Sequence, residues 1–248
     1  MLLSVCLISA FVIFIYMTAV FFLCTYKNDL SLVDIFWGTG FIVVWLFSHW
    51  VLPAITMRSY LTGIMVLIWG LRLTLQIAIR KIGKHEDPRY TKMRAEWGTN
   101  FLWQSYLKVF MVQGVALFVI AFPLLIINST NSQAPLNLLD GIGIFIWTIG
   151  LICEAVADLQ LYRFLSNPLN RGKIMTQGIW RYSRHPNYFG EILVHWGLYW
   201  VCVAQGTPLW TAVGPLTLTV LLVKVSGVPM LEKKYDRHPA YQRYQRET

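Results

Sequence analysis

The sequence predicts an all-α integral membrane protein, a polytopic bundle of about seven transmembrane helices. Three observations carry that expectation. Apolar residues make up 56% of the 248-residue chain and charged residues only 13%, where an ordinary globular domain carries roughly a quarter. The 21 basic and 12 acidic side chains are too few to coat a soluble fold of this length. The apolar residues also fall into runs near the ~20 residues that a helix needs to cross a bilayer.

Those runs are 2–24, 33–53, 59–80, 107–127, 138–162, 187–205 and 209–226. The first lacks a basic leader and is too long for a signal-peptide core, so it counts as a span. Gly and Pro interrupt the second and the seventh, which blurs their ends. The third holds Arg72 and closes on Arg80. The fourth is plainly apolar, and the fifth is long enough to project beyond the membrane. The sixth starts behind Pro186, a residue that suits the first turn of a helix because its missing N–H costs nothing there. One membrane domain, 1–248, accounts for the whole sequence, and 138–248 carries most of its polar motifs.

Net charge is +9, and its placement matters more than its size. Counted loop by loop, nineteen of the 21 basic residues fall on one side of the seven runs. Arg58 is alone on the other side, and Arg72 is within a run. Basic loops stay in the cytoplasm, so an odd number of spans puts the N-terminus outside and the C-terminus in the cytoplasm. That arrangement absorbs the charge without a nucleic-acid partner. The chain shows no targeting signal beyond the spans, which suits a bacterial inner membrane. Cys6, Cys24, Cys153 and Cys202 all stand in apolar runs, without a CxxC or a His at metal spacing. They read as buried small apolar residues, and no metal site is expected. Asn128-Ser129-Thr130 matches a glycosylation triplet, a pattern common by chance.

Charged groups inside spans are costly and mostly functional. The fifth run alternates two stripes. Gly143, Gly150 and Ala157 recur every seven residues and allow close packing of a neighbouring helix. Glu154, Asp158 and Tyr162 recur every four and share another face. That polar face serves either an internal salt-bridge network or the wall of a ligand pocket. Arg72, Gln76 and Arg80 repeat the four-residue spacing in the third run, and Arg72 is too deep to snorkel easily. Between the fifth and sixth runs stands G-I-W-R-Y-S-R-H-P-N-Y-F-G-E, residues 178–191. It sets Arg181, Tyr182, Arg184 and His185 just before a helix start, with Asn187, Tyr188 and Glu191 in the first turns. Basic side chains at a helix N-terminus form an anion site. His195 follows Glu191 by one turn. The loop from His85 through Arg94 to Gly98 and the end residue Lys224 add further basic groups on the same side. Phosphate groups of a nucleotide cofactor fit that chemistry.

The motif E-x-x-x-D-x-Q from Glu154, followed by residues 178–191, resembles the steroid 5α-reductase superfamily. The likeness is nearest to its bacterial seven-span members. It extends to Val33-Asp34-Ile35-Phe36-Trp37-Gly38, to Arg72 through Trp97, and to Lys224 through Glu232. The resemblance implies a cytoplasm-facing NADPH site and hydride transfer to a carbon–carbon double bond conjugated to a carbonyl, in a lipophilic substrate such as a steroid or another lipid. It implies Arg72, Asp158, Asn187 and Glu191 as cofactor residues, with Lys173 and Lys224 near further basic positions. With the residues read above, the expected cofactor set is Arg72, Gln76, Arg80, Arg94, Glu154, Asp158, Tyr162, Lys173, Tyr182, Arg184, His185, Asn187, Tyr188, Glu191 and Lys224. Asp34 falls near the acid that engages the substrate carbonyl, a donor role that requires its protonated form. Trp69 stands where steroid-reducing relatives place a catalytic Tyr, and Ser226-Gly227 stands where animal relatives have a His-rich run.

The rival expectation is a methyltransferase using S-adenosylmethionine. Isoprenylcysteine and phospholipid methyltransferases resemble the C-terminal half, including R-H-P-x-Y-x-G. They tend to carry paired glutamates after the last span, whereas Glu232 follows Leu231. A transporter or a non-catalytic lipid-binding protein is the third class. Against transport, no inverted repeat is visible and the polar residues gather on one side.

Overall fold

The computed structural model describes residues 2–51, 56–130 and 133–248. These are mostly helical, without a strand among them. The last two residues of the predicted second span, 52 and 53, lie outside the described residues. Two compact units emerge: Met1–Leu136 with Cys202–Thr211, and Asn137–Val201 with Ala212–Thr248.

The first unit opens with α1 (Leu2–Tyr26), a 3₁₀ turn (Leu30–Ile35), α2 (Phe36–Val51) and α3 (Met57–Lys81). The residues after α3, expected as a loop, instead contain α4 (Pro88–Trp97). The Asp87 side chain accepts the Arg89 N–H at 2.9 Å, and Pro88 fills the first helical position. The cap and the proline thus start the helix, and Gly98 ends it at φ +49°. The expected fourth span, 107–127, is displaced. It begins at α5 (Phe101–Ser105), passes a π-helical stretch (Tyr106–Met111) and continues as α6 (Val112–Ile120). The run breaks at Ala121, and α7 (Phe122–Ser129) follows with Pro123 in its first turn. A proline there cannot donate to the preceding turn, so the chain restarts.

In the second unit, α8 (Leu138–Ser166) begins at a reciprocal cap. The Asn137 side chain accepts Leu139 N–H at 2.9 Å, and the Asp140 carboxylate accepts Asn137 N–H at 2.7 Å. Two 3₁₀ turns, Pro168–Asn170 and Gly178–Arg181, lead to α9 (Pro186–Ala204), whose last turn groups with the first unit. Next come α10 (Val213–Val220), a π-helical stretch (Leu221–Val225), α11 (Val228–Tyr235) and α12 (Pro239–Glu247).

Among the described residues, six segments are long and apolar enough to cross a membrane: Leu3–Tyr26, Leu30–Val51, Met57–Lys81, Pro88–Ile120, Leu138–Ser166 and Leu209–Lys233. The chain is an integral membrane protein by this measure. α9 occupies the place of the expected sixth span but is not among these, because Asn187, Glu191 and His195 dilute its apolar content.

Glycine sets the helix approaches in both units. In the first, Gly38 of α2 faces the backbone of Gly70 in α3, and Gly63 of α3 faces the Trp45 indole. In the second, the seven-residue stripe on α8 meets a matching stripe on α9. A Cβ at Gly143 would stand 2.8 Å from the Gly197 carbonyl oxygen, and one at Gly150 would stand 2.7 Å from that of Gly190. Two glycine pairs, each spaced by seven, therefore bring the backbones into contact. Without a hydrophobic drive between helices in lipid, such close packing supplies the attraction.

Polar groups near the start of α3 satisfy one another. The Asn128 side chain accepts from Ser59 Oγ at 2.6 Å and donates to Ser48 Oγ at 2.7 Å. Asn128 is fully buried, so the glycosylation triplet presents no acceptor in the folded chain. Arg58 is also buried, donating to the Ala134 and Pro135 carbonyls at 2.8 and 2.7 Å. Cys24 and Cys202 are buried as expected, but Cys6 and Cys153 are only partly covered.

Replacing Gly150 with Val should destabilise the protein by about 1–3 kcal/mol, the usual cost of overpacking. Gly141→Val is the control, since a Cβ at Gly141 would have nothing within 4 Å. Detergent melting curves check both: a clear loss for Gly150→Val and little change for Gly141→Val are expected.

Candidate functional site

The two halves of the long motif are tied together inside the second unit. Gln160, the last residue of E-x-x-x-D-x-Q, accepts the Ile179 N–H at 3.1 Å. One turn earlier on α8, the Ala157 carbonyl accepts the Trp180 indole N–H at 3.1 Å. Gly178 sits at φ +62° directly against the Gln160 side chain, so a Cβ there would be strained and blocked. Part of the motif is thus a docking device that holds the Gly178–Arg181 turn on α8.

That turn delivers the chain to α9. The His185 N–H donates to Ser183 Oγ at 3.2 Å, and the His185 carbonyl accepts from Phe189 N–H at 3.1 Å. The His185 ring stacks on Tyr188, with centroids 5.6 Å apart and planes within 6°. Asn187, Tyr188 and Glu191 follow in the first turns of α9 and are half-buried. Gly190 brings α9 onto α8 beside Glu154: a Cβ at Gly190 would lie 2.6 Å from the Glu154 amide nitrogen. Glu154 and Asp158 are buried. Tyr162, the third member of that stripe, is exposed, as are Lys173 and Tyr182. Lys224 is exposed on the π-helical stretch, which ends where the Ser226 N–H reaches back to the Leu221 carbonyl at 2.8 Å. His195 is buried, with Nδ1 3.1 Å from the Glu191 carbonyl oxygen.

The expected anion-binding pair at the α9 start already holds an acid. Arg184 Nε donates to Glu232 Oε1 at 2.8 Å, and His185 Nε2 stands 3.2 Å from the same oxygen. Burial lowers the His185 pKa from its ordinary value; the Glu232 carboxylate works against that shift and Arg184 adds to it. Glu232 is legible in the sequence only as an unpaired glutamate. Its partners lie 48 and 47 residues away, a separation that no local pattern reports.

The first unit gathers its own charges around Asp34. Asp34 lies in the Leu30–Ile35 turn ahead of α2, with its side chain 43% exposed and 3.7 Å from Arg89. A donor role requires its protonated form. Arg89 also pairs with Asp87 at 3.0 Å, and Lys81 pairs with Asp29 at 2.8 Å. Arg94 lies 3.3 Å from Glu86 and over the Phe101 ring at 4.1 Å. Glu86 in turn accepts the Leu30 N–H at 2.9 Å. Three of the basic side chains in this run therefore already hold carboxylates. Arg72 and Gln76 are half-buried and Arg80 is exposed, on one face of the unbroken α3. An apolar cavity of about 200 Å³ opens between α1 and α6, lined by Ile13, Phe14, Met17, Gly114, Val115 and Phe118 among others.

Comparison with known proteins gives one broad and one narrow likeness. A 46-residue stretch, 18% of this chain, is 41% identical to "Probable O-methyltransferase ustE" of Ustilaginoidea virens. The matched stretch spans only 16% of that protein's length. No solved structure matches. Residues 20–248 match the family described as "Protein of unknown function (DUF1295)". That match covers nearly the whole chain, so the protein belongs to the DUF1295 family, within the steroid 5α-reductase-like superfamily.

Proposed function

We propose that this protein is a membrane reductase that uses NADPH to reduce a carbon–carbon double bond conjugated to a carbonyl in a lipophilic substrate. The observation that carries the reading is the cluster at the start of α9, in a chain of the steroid 5α-reductase-like superfamily. There the docked turn presents Arg184, His185 and Asn187 at a helix N-terminus, beside the buried Glu154 and Asp158.

The donor set fits a phosphorylated dinucleotide. A guanidinium has five N–H donors in a planar fork suited to phosphate, and the α9 N-terminus adds its positive dipole end. Arg184, His185 and Asn187 would hold phosphate and ribose oxygens, and Asp158 and Glu191 would accept from amide or hydroxyl groups. The bound nicotinamide would supply the hydride. The protein's part is to orient the cofactor, keep water from it and steady the charge that develops on the substrate carbonyl oxygen. Asp34 is proposed for that last task. The apolar cavity between α1 and α6 agrees with a lipid-soluble substrate.

Methyl transfer from S-adenosylmethionine is the second reading, favoured by the 46-residue likeness to a probable O-methyltransferase.

The N-terminus is proposed outside and the C-terminus in the cytoplasm, which requires α9 to cross. In a background without the native cysteines, Leu209→Cys should then label only from outside and Lys173→Cys only from inside. Labelling of both from one side would give α9 a surface position and reverse the parity.

Thermal shift of the detergent-purified protein tests the reaction class. NADPH at about a hundred times its dissociation constant should stabilise the fold by roughly 2.7 kcal/mol, and S-adenosylmethionine should not; the opposite result establishes the second reading. Asp158→Asn should weaken NADPH binding by about tenfold, the loss of one charged hydrogen bond. Asp34→Asn should leave NADPH affinity intact and slow NADPH oxidation over a panel of enone lipids by about a hundredfold. Undiminished turnover would remove Asp34 from the chemistry.

A further inference from the structure

The cluster at the α9 start does not stand alone; the C-terminal helix pair is strapped across it. Tyr244 of α12 donates its hydroxyl to the Trp180 carbonyl and lies 3.1 Å from the Ser183 carbonyl oxygen. Burial pushes the Tyr244 phenol up to about 12, so it remains a donor at any ordinary pH. The Gln245 carbonyl stands 3.5 Å from Arg184 Nη1, and the Gln245 amide nitrogen stands 3.4 Å from Glu232 Oε2. His238, at the start of α12, reaches the Gly172 carbonyl at 3.3 Å. Each of these polar contacts ends on the 172–185 connection or on the glutamate that holds Arg184 and His185. Behind them, Tyr241 packs between Tyr235 and Tyr244, with centroids 5.4 and 6.1 Å away.

We propose that Glu232 is a positioning residue: through one carboxylate oxygen it sets the side chains of Arg184 and His185, and α12 clamps the connecting turn in the shape that this requires. The geometry separates the role from plain anchoring. One oxygen, Oε1, serves both basic side chains, while Oε2 faces Gln245. Moving that oxygen therefore moves both groups together. Glu232 is only partly exposed, with 22% of its side chain accessible, so water competes weakly for the contact. An ordered second layer of this kind is what keeps binding side chains in one geometry. That Arg184 and His185 then face a cofactor rests on the function proposed above; that Glu232 fixes them does not.

The test uses the full-length protein, in wild-type form and as Glu232→Ala, Glu232→Gln and Tyr244→Phe. The first readout needs no ligand: the His185 ring is followed by NMR of histidine-labelled protein across pH. Removing the carboxylate removes the influence that raises the His185 pKa, so its midpoint should fall in both Glu232 variants. It should change little in Tyr244→Phe, which leaves the carboxylate in place. The second readout is affinity for NADPH and, separately, for S-adenosylmethionine. Glu232→Ala should weaken whichever ligand the wild type binds by about tenfold. Glu232→Gln, which keeps an acceptor oxygen, should recover part of that loss, and melting temperatures should stay near wild type. An unmoved His185 midpoint in both Glu232 variants overturns the inference; a fallen midpoint with undiminished ligand affinity in Glu232→Ala upholds it and overturns the placing of the ligand at Arg184 and His185. If the wild type binds neither ligand, the reductase and methyltransferase readings both fail, and the His185 titration alone decides the role of Glu232.

Discussion

A bilayer offers its contents no hydrogen bonds, and that one constraint governs the rest of this structure. Each spanning segment must satisfy its own backbone, so the chain is helical. Nothing hydrophobic draws helices together in lipid, so close contact has to be arranged by removing side chains. Gly143, Gly150, Gly190 and Gly197 do this where α8 meets α9, and Gly38 with Gly70 does it where α2 meets α3. Polar side chains that do enter the apolar zone must bring partners. The Ser48–Asn128–Ser59 chain and the Arg58 contacts to two carbonyls follow from that rule and need no ligand to explain them.

The same rule divides the polar residues into those that build and those that remain for chemistry. Gln160 and the Ala157 carbonyl dock the Gly178–Arg181 turn onto α8. Lys81 ties α3 to the turn before α2 through Asp29, Arg94 ties α4 to the same turn through Glu86, which accepts the Leu30 N–H, and Arg89 holds Asp87 at the α4 cap. A sequence reading weights all of these as candidate ligand contacts, because residue type alone does not say whether a charge already has a mate. The groups that remain most telling are those gathered at the start of α9, where several elements of the second unit converge on a few residues.

Much of the fold is legible in the sequence because its signals are local and periodic. A run of twenty apolar residues announces a span, and the seven-residue glycine stripe on α8 announces a close neighbour. The elements that differ from expectation do so for physical reasons of their own. α4 hides because its face is mostly charged, although Asp87-Pro88 is a visible cap and start. The fourth span is shifted because a π-helical stretch carries the helix back to Phe101 and Pro123 breaks it at Ala121. α9 has the length of a span, yet the polar residues that make it a candidate site lower its apolar content. In the site, the motif itself is readable; its clamp is not, because Glu232 and Tyr244 meet their partners 47 to 64 residues away.

That clamp also changes how the resemblance between reductases and methyltransferases bears on this chain. The R-H-P elbow is common to both likenesses, so the elbow alone does not choose a reaction. What it presents depends on the acid that faces it. Here a single carboxylate oxygen takes both Arg184 and His185, and the Gln245 carbonyl stands 3.5 Å from Arg184 Nη1. A guanidinium held in this way suits an anion, and on the function proposed above that anion is a phosphate of the cofactor. On the function proposed above, cofactor choice is therefore a matter of the charge left at the elbow by residues as remote in sequence as Glu232, and not a property of the elbow motif.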